Sequence, residues 1–311
     1  MMLYTWKQFM AFYILALLIA LAAMAIAVVG GQVDAIGQLL EYLERESTYP
    51  NVLSIGSFAL FENAGAFLIL LFAAAPSLAA ILVTARAPNL QLGNLLARLK
   101  PVGPDYTAVP THRVYLGLFA AYLAILALYL GVTVAHGEPD SIASTFANLG
   151  STWPVMVAWC LAAPFLDEGG LLEELGWRGF AWPALQSLLS SPIWAAILLG
   201  VLWWAWHLPR EVPVLLGDSP LTPWLGQQGL FLLLCIAETI VAVFLVNLCG
   251  GSVLPAIIVH GGSNVWSKAV ASEMWQLTGV DVRTWIMLLA AASILALVGS
   301  SLGRQQQPLR A

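Results

Sequence analysis

Long apolar runs, interrupted by very few charged residues, are the feature of this sequence that most limits its fold. An α-helix needs about 20 predominantly apolar residues to cross the hydrocarbon core of a bilayer. Only 9% of the 311 residues are charged, whereas a soluble domain carries about 25%, so too little polar surface is available to coat a soluble globule. The sequence therefore predicts an all-α membrane protein with about eight transmembrane helices, at 9–29, 58–84, 114–135, 153–172, 193–209, 229–248, 253–268 and 285–302.

The distribution of Lys and Arg among the loops predicts the orientation, because cytoplasmic loops carry an excess of these residues. With both termini in the cytoplasm, eight of the twelve basic residues fall inside: Lys7, Arg86, Arg98, Lys100, Arg113, Arg178, Arg304 and Arg310. The other four fall outside: Arg45, Arg210, Lys268 and Arg283. We therefore expect a cytoplasmic N-terminus and C-terminus. The net charge of −5 gives no reason to expect a nucleic-acid partner.

Ionisable residues inside apolar segments are costly and commonly mark functional sites. The first such cluster closes the fourth apolar run with Glu173, Glu174 and Arg178. On a helix, Glu174 and Arg178 are four residues apart and share a face, where they can pair. Glu173 points away from that face, so its carboxylate stays available to act on a proton. Taken alone, this cluster is equally compatible with a solvated ion pair at a helix end.

Two further clusters place histidines in apolar segments. His207 ends the fifth segment, four residues after Trp203, and on its own is equally typical of an aromatic belt at the membrane interface. His260 and Asn264 share a helix face in the seventh segment, where a neutral imidazole and an amide can offer hydrogen-bond donors to one point. A polar helix–helix contact gives the same pattern. Together, however, the clusters supply the base, acid and amide donors that peptide hydrolysis requires.

The order of these motifs resembles that of a known family. Glu173-Glu174-x-x-x-Arg178, Trp203-x-x-x-His207 and His260-x-x-x-Asn264 resemble the signature motifs of the CAAX-protease and bacteriocin-processing family. The family often has Phe at the position of Trp203. The resemblance implies three regions: a first transmembrane span with an acidic outer loop at 1–57, a CAAX-protease-like core at 58–270, and a last span with a cytoplasmic tail at 271–311.

The resemblance also implies the fold of the site and the activity. The C-terminal half would form an intramembrane catalytic cavity, in a bacterial or archaeal cell membrane. The protein would be an endopeptidase whose catalytic residues are Glu173, Glu174, Arg178, His207, His260 and Asn264. Glu173 would activate water as the general base, His207 would orient that water, and His260 with Asn264 would form the oxyanion hole. The expected partners are membrane lipid and a peptide or protein substrate, with prenylated CAAX-type peptides among the candidates.

The residues leave the metal and two other functions open. Glu173, His207 and His260 would suffice to bind zinc and leave a position for water. The His-Glu-x-x-His spacing is missing, and the resemblance favours a metal-free glutamate mechanism, so we expect no cofactor. An alternative function is a non-catalytic membrane scaffold or bacteriocin-immunity factor on the same fold. A proton-coupled transporter is less favoured, because the embedded polar residues lie in one half of the chain and not in inverted repeats.

Overall fold

Helices make up nearly all of the structure, a computed structural model that describes residues 4–31, 34–45, 50–105, 107–135, 153–212, 221–269, 276–277 and 280–303. The helices are α1 (Trp6–Val29), α2 (Asp34–Arg45), α3 (Val52–Phe61), α4 (Phe67–Arg86), α5 (Leu92–Ala97), α6 (Thr111–Ala135), α7 (Trp153–Leu166), α8 (Glu168–Glu174), α9 (Trp182–Leu188), α10 (Pro192–His207), α11 (Leu221–Leu248), α12 (Leu254–Ala269) and α13 (Val282–Val298). A π-helical turn, Leu175–Ala181, joins α8 to α9. A two-residue antiparallel ladder between β1 (Gln276–Leu277) and β2 (Val280–Asp281) precedes α13.

Six helices in the described part of the chain are long and apolar enough to cross a membrane. They cover Trp6–Val29, Ala64–Arg86, Thr111–Leu128, Pro192–Glu211, Leu221–Leu248 and Val282–Ser301. These agree with six of the predicted spans and confirm an all-α membrane protein. The fourth and seventh predicted spans fall on the shorter helices α7 and α12, of 14 and 16 residues. The total of eight spans therefore stays a prediction.

Small side chains allow the helices that surround the site to approach one another. Ala16 and Ala20 on α1, and Ala75 and Ala79 on α4, are completely buried where these two helices pack together. On the opposite face of α1, Ile14 and Leu18 are half exposed. Because lipid tails are as apolar as leucine, membrane helices associate through close packing of small residues. The same helix therefore presents alanines to the protein and large apolar side chains outward.

Two details differ from the sequence prediction. The fourth span was predicted to run without interruption from 153 to 172, but the helix breaks at Asp167, whose backbone is extended with φ −61° and ψ 130°. Arg178 was assigned to a cytoplasmic loop, but it is fully buried and contributes no loop charge. Two basic residues of the tail, Arg304 and Arg310, lie outside the described residues. The orientation of the termini therefore stays a prediction.

Candidate active site

The first motif lies on a short helix that starts again after the break at Asp167. The Asp167 carboxylate caps α8 by accepting a hydrogen bond of 2.8 Å from the backbone N–H of Gly170. Glu173 and Glu174 end this helix, and the π-helical turn follows directly. Such wide turns are rare and often occur at functional sites. Both glutamate side chains are buried, at 5% and 0% exposure.

The ion pair predicted between Glu174 and Arg178 is present and completely buried. The Arg178 guanidinium donates from Nη1 to Glu174 Oε1 at 2.8 Å and from Nη2 to Thr239 Oγ1 at 3.0 Å. It also lies over the Trp203 ring, 4.4 Å from the ring centroid. His260 Nδ1 lies 2.9 Å from the same Oε1 of Glu174. Glu174 therefore links the first and third motifs instead of facing the cavity.

Glu173 turns to the other side, toward the second motif. Its Oε2 accepts a hydrogen bond of 2.8 Å from the indole N–H of Trp203 and a longer one, 3.3 Å, from that of Trp177. Two indole donors thus fix the orientation of one carboxylate oxygen, and the side chain lines a cavity. Trp203 makes the shorter of these two bonds. Phenylalanine, which the resembled family often has at this position, has no N–H donor and could not make it.

His207 is held by its own helix. Its Nδ1 lies 2.8 Å from the backbone carbonyl of Trp203. A carbonyl only accepts hydrogen bonds, so Nδ1 carries the proton and Nε2 of a neutral ring is left as the acceptor. Trp206 and Phe231 pack edge-on against the imidazole, with ring centroids 4.8 and 5.1 Å away. The ring therefore has a fixed orientation with its basic nitrogen available to water in the cavity.

Donor nitrogens of the third motif converge beside Gly169. A carbon placed as a Cβ on Gly169 would lie 2.9 Å from His260 Nε2 and 3.3 Å from Asn264 Nδ2. These two residues thus face one point, as their spacing predicted. Because the Glu174 carboxylate accepts from His260 Nδ1–H, a neutral ring would present only a lone pair at Nε2. His260 must carry both protons to donate at that point, and the neighbouring Glu174 stabilises the charged ring.

Glu173, His207, His260 and Asn264 all line one cavity of about 500 Å³. The structure adds four charged residues to its lining that the motifs did not identify: Glu168, Arg210, Glu238 and Arg283. The remaining walls are largely apolar and come from the N-terminal helices, including Met24, Leu39, Ile55, Leu68 and Phe72. The cavity thus combines a polar floor with apolar walls from a region that the sequence did not predict to form part of the site.

The sequence signals for Glu238, for Asp167 and for Arg283 differ. Glu238 is an acid in the middle of an apolar run, which the cost of burying a charge could have indicated. Asp167 precedes the first motif, and its importance lies in a cap that is visible only with the helix break. Arg283 has no signal in the sequence, because its position in the site depends on where the last helix packs.

A zinc ion does not fit the residues proposed for it. Among the described residues, no three His, Cys, Asp or Glu side chains are arranged to hold a metal ion. Glu173, His207 and His260 share the cavity without forming a coordination site.

The fold and the site together define a class of protein. It is an α-helical integral membrane protein with buried carboxylates, histidines and an amide around one cavity. Residues 149–266 match the family described as Rce1-like, type II CAAX prenyl endopeptidase. This match confirms the predicted resemblance. A curated relative, CAAX prenyl protease 2 of Methanococcus maripaludis, is 32% identical over 148 residues, which are 46% of this chain and 49% of that relative. The match thus spans about half the length of the relative.

Proposed function

We propose that this protein is an intramembrane endopeptidase in which Glu173 activates water for attack on a peptide bond. The observation that carries the proposal is the convergence of Glu173, His207, His260 and Asn264 on one cavity from three separate helices. The chemistry of these four side chains is that of a hydrolase site: a carboxylate base, a second base, and two groups suited to a developing oxyanion.

The proposed reaction starts with a water molecule between Glu173 and His207. Glu173 removes a proton from the water as the oxygen attacks the carbonyl carbon of the substrate. The negative charge that develops on the carbonyl oxygen is stabilised by N–H groups of His260 and Asn264, beside Gly169. When the C–N bond breaks, the proton held by Glu173 passes to the leaving amine, and the base is restored.

Glu174 and Arg178 support this reaction without touching the substrate. The Glu174 carboxylate accepts from Arg178 and His260 through one oxygen, so it holds the imidazole ring and stabilises its second proton. Arg178 stacks on Trp203, which is the donor to Glu173. The buried ion pair is therefore connected both to the proposed base and to the proposed oxyanion hole.

The substrate class that we propose is a peptide with a lipid modification. Apolar walls such as Met24, Leu39 and Phe72 fit a hydrocarbon chain better than a charged peptide, since burial of apolar surface is favourable at about 25 cal/mol per Å². The name of the relative in Methanococcus maripaludis, a CAAX prenyl protease, supports a prenyl group as that modification.

The test is cleavage of a fluorogenic peptide library, in matched prenylated and unmodified forms, by purified protein in detergent. We expect the wild type to cleave prenylated peptides and Glu173→Gln to be inactive, because the amide cannot accept the proton. Glu41→Gln, a change of the same type at an exposed position of α2, serves as the control and should retain full activity.

The same assay separates the competing functions. Activity that survives a strong chelator supports the metal-free mechanism, whereas loss that zinc restores would contradict it. Cleavage of unmodified peptides alone would remove the lipid from the proposed substrate. Wild-type turnover by Glu173→Gln would refute the assignment of the base. If the wild type cleaves no peptide in either form, the scaffold function replaces the protease.

A further inference from the structure

The side-chain amide of Asn264 lies between two oppositely charged groups. Its Nδ2 donates to Asp167 Oδ1 at 3.0 Å, and its Oδ1 accepts from Arg283 Nη1 at 3.1 Å. Asp167 is fully buried and is fixed in turn by its bond to the N–H of Gly170. The three side chains thus form one hydrogen-bonded row that ends at the start of α8.

The charges of its two neighbours determine which way the Asn264 amide faces. If the amide turned over, its oxygen would face the Asp167 carboxylate and its NH₂ group would face the Arg283 guanidinium. Both hydrogen bonds would be lost, because two acceptors would meet at Asp167 and two donors would meet at Arg283. Buried polar groups left unpaired in this way are costly. Hydrogen bonds to charged groups are also stronger than neutral ones. One orientation of the amide is therefore strongly favoured.

The favoured orientation is the one that the proposed oxyanion hole needs. It places Nδ2 on the side of Gly169, where an atom at the Cβ position would lie 3.3 Å from that nitrogen and 2.9 Å from His260 Nε2. In the reversed orientation an amide oxygen would stand in place of the donor and would repel a developing negative charge. The absence of a side chain on Gly169 keeps this point open.

The guanidinium of Arg283 is suited to hold Asn264 and has no closer partner among the described residues. Its nearest carboxylate is that of Asp281, with Nε and Oδ2 3.9 Å apart, which is too far for a hydrogen bond. Its side chain lines the cavity and is only 18% exposed. It lies on α13, beyond the segment 149–266 that matches the family.

We propose that Arg283 is a positioning residue that fixes the Asn264 amide with its N–H groups toward the oxyanion. This inference rests on the proposed function and extends the site to the last helix of the chain. Asp167 acts with it from the opposite side of the amide. Arg283 touches neither the water nor the scissile bond in this scheme, so its effect on the reaction passes entirely through Asn264.

The experiment compares Arg283→Met, Arg283→Lys and Asn264→Ala in the cleavage assay, with kcat and KM measured separately. Loss of an oxyanion donor lowers kcat by about 10²–10³-fold, and we expect Arg283→Met to lower it by roughly ten- to a hundred-fold with little change in KM. Lysine keeps a cationic donor, so Arg283→Lys should recover part of kcat. Arg86→Met, the same change at an exposed arginine, is the control.

A double substitution separates positioning from a general loss of structure. Once Asn264 is alanine, no amide is left to orient, so adding Arg283→Met should lower kcat no further. If Arg283→Met lowered kcat as much in the Asn264→Ala background as in the wild type, the inference would be overturned. An Arg283→Met effect confined to KM would overturn it as well. Either result leaves the proposed function standing, provided that Glu173→Gln is inactive. A wild type that cleaves no peptide overturns both.

Discussion

Removal of Arg178 provides the sharpest test of how the site is held together. Its guanidinium donates hydrogen bonds to Glu174 and Thr239, which like Arg178 are 0% exposed, and it stacks on the buried Trp203. Arg178→Met keeps much of the apolar volume but leaves His260 as the remaining hydrogen-bond partner of the Glu174 carboxylate among the described residues. Breaking a buried ion pair from one side costs about 3–5 kcal/mol, because the remaining buried charge loses its partner.

The chain offers a matched comparison for this change. Arg45 also pairs with a glutamate, Glu62, at 3.2 Å, and also stacks on an aromatic ring, that of Tyr42. The two side chains of this second pair are 59% and 47% exposed. Exposed pairs contribute about 0.2–1 kcal/mol, so Arg45→Met should lower the free energy of unfolding by no more than that.

The assay is equilibrium unfolding in mixed micelles, followed by tryptophan fluorescence. We expect Arg178→Met to lower the free energy of unfolding by about 3–5 kcal/mol, and Arg178→Lys to fall between that variant and the wild type. Equal losses for Arg178→Met and Arg45→Met would refute the reasoning, since burial would then make no difference to the cost of an unpaired carboxylate.

Two further predictions concern the indole donors and the packing of α12. Trp203→Phe should lower kcat/KM by roughly ten- to a hundred-fold, since a hydrogen bond to a charged group contributes about 1.5–3 kcal/mol. Trp177→Phe should cost less, because its bond to Glu173 is longer. A larger effect at Trp177 in the cleavage assay would contradict this. Gly261→Ala should destabilise the fold by at least about 1–3 kcal/mol, because its Cβ would collide with the Pro164 carbonyl. Gly117→Ala, with open space around it, is the control, and equal melting temperatures for the two variants would refute the packing argument.

The sequence predicted those parts of the site that depend on local spacing. The four-residue interval between Glu174 and Arg178 is enough to place them on one helical face, and the ion pair is present. The same interval between His260 and Asn264 predicted that they face one point, which Gly169 keeps open. The membrane class followed from apolar length alone. In each case the information lies within one helix or in the composition.

The remaining features depend on contacts between distant helices, which spacing does not encode. The tautomer and charge of His260 follow from Glu174, 86 residues away in the chain. The orientation of Asn264 follows from Asp167 and from Arg283 on a helix packed from elsewhere. The break at Asp167 was missed because the apolar run 153–172, interrupted only by the adjacent acids Asp167 and Glu168, is long enough for a single transmembrane helix.

The walls of the cavity come from nearly the whole length of the chain, from Met24 on α1 to Arg283 on α13. Ribosomes add about 5–20 residues per second, so about 5–20 s pass between the synthesis of Glu173 and that of Arg283, 110 residues later. During that interval the nascent protein carries its proposed base without the group that orients Asn264. We therefore expect the proposed activity to reach its full rate only after α13 has been synthesised and has packed against the site.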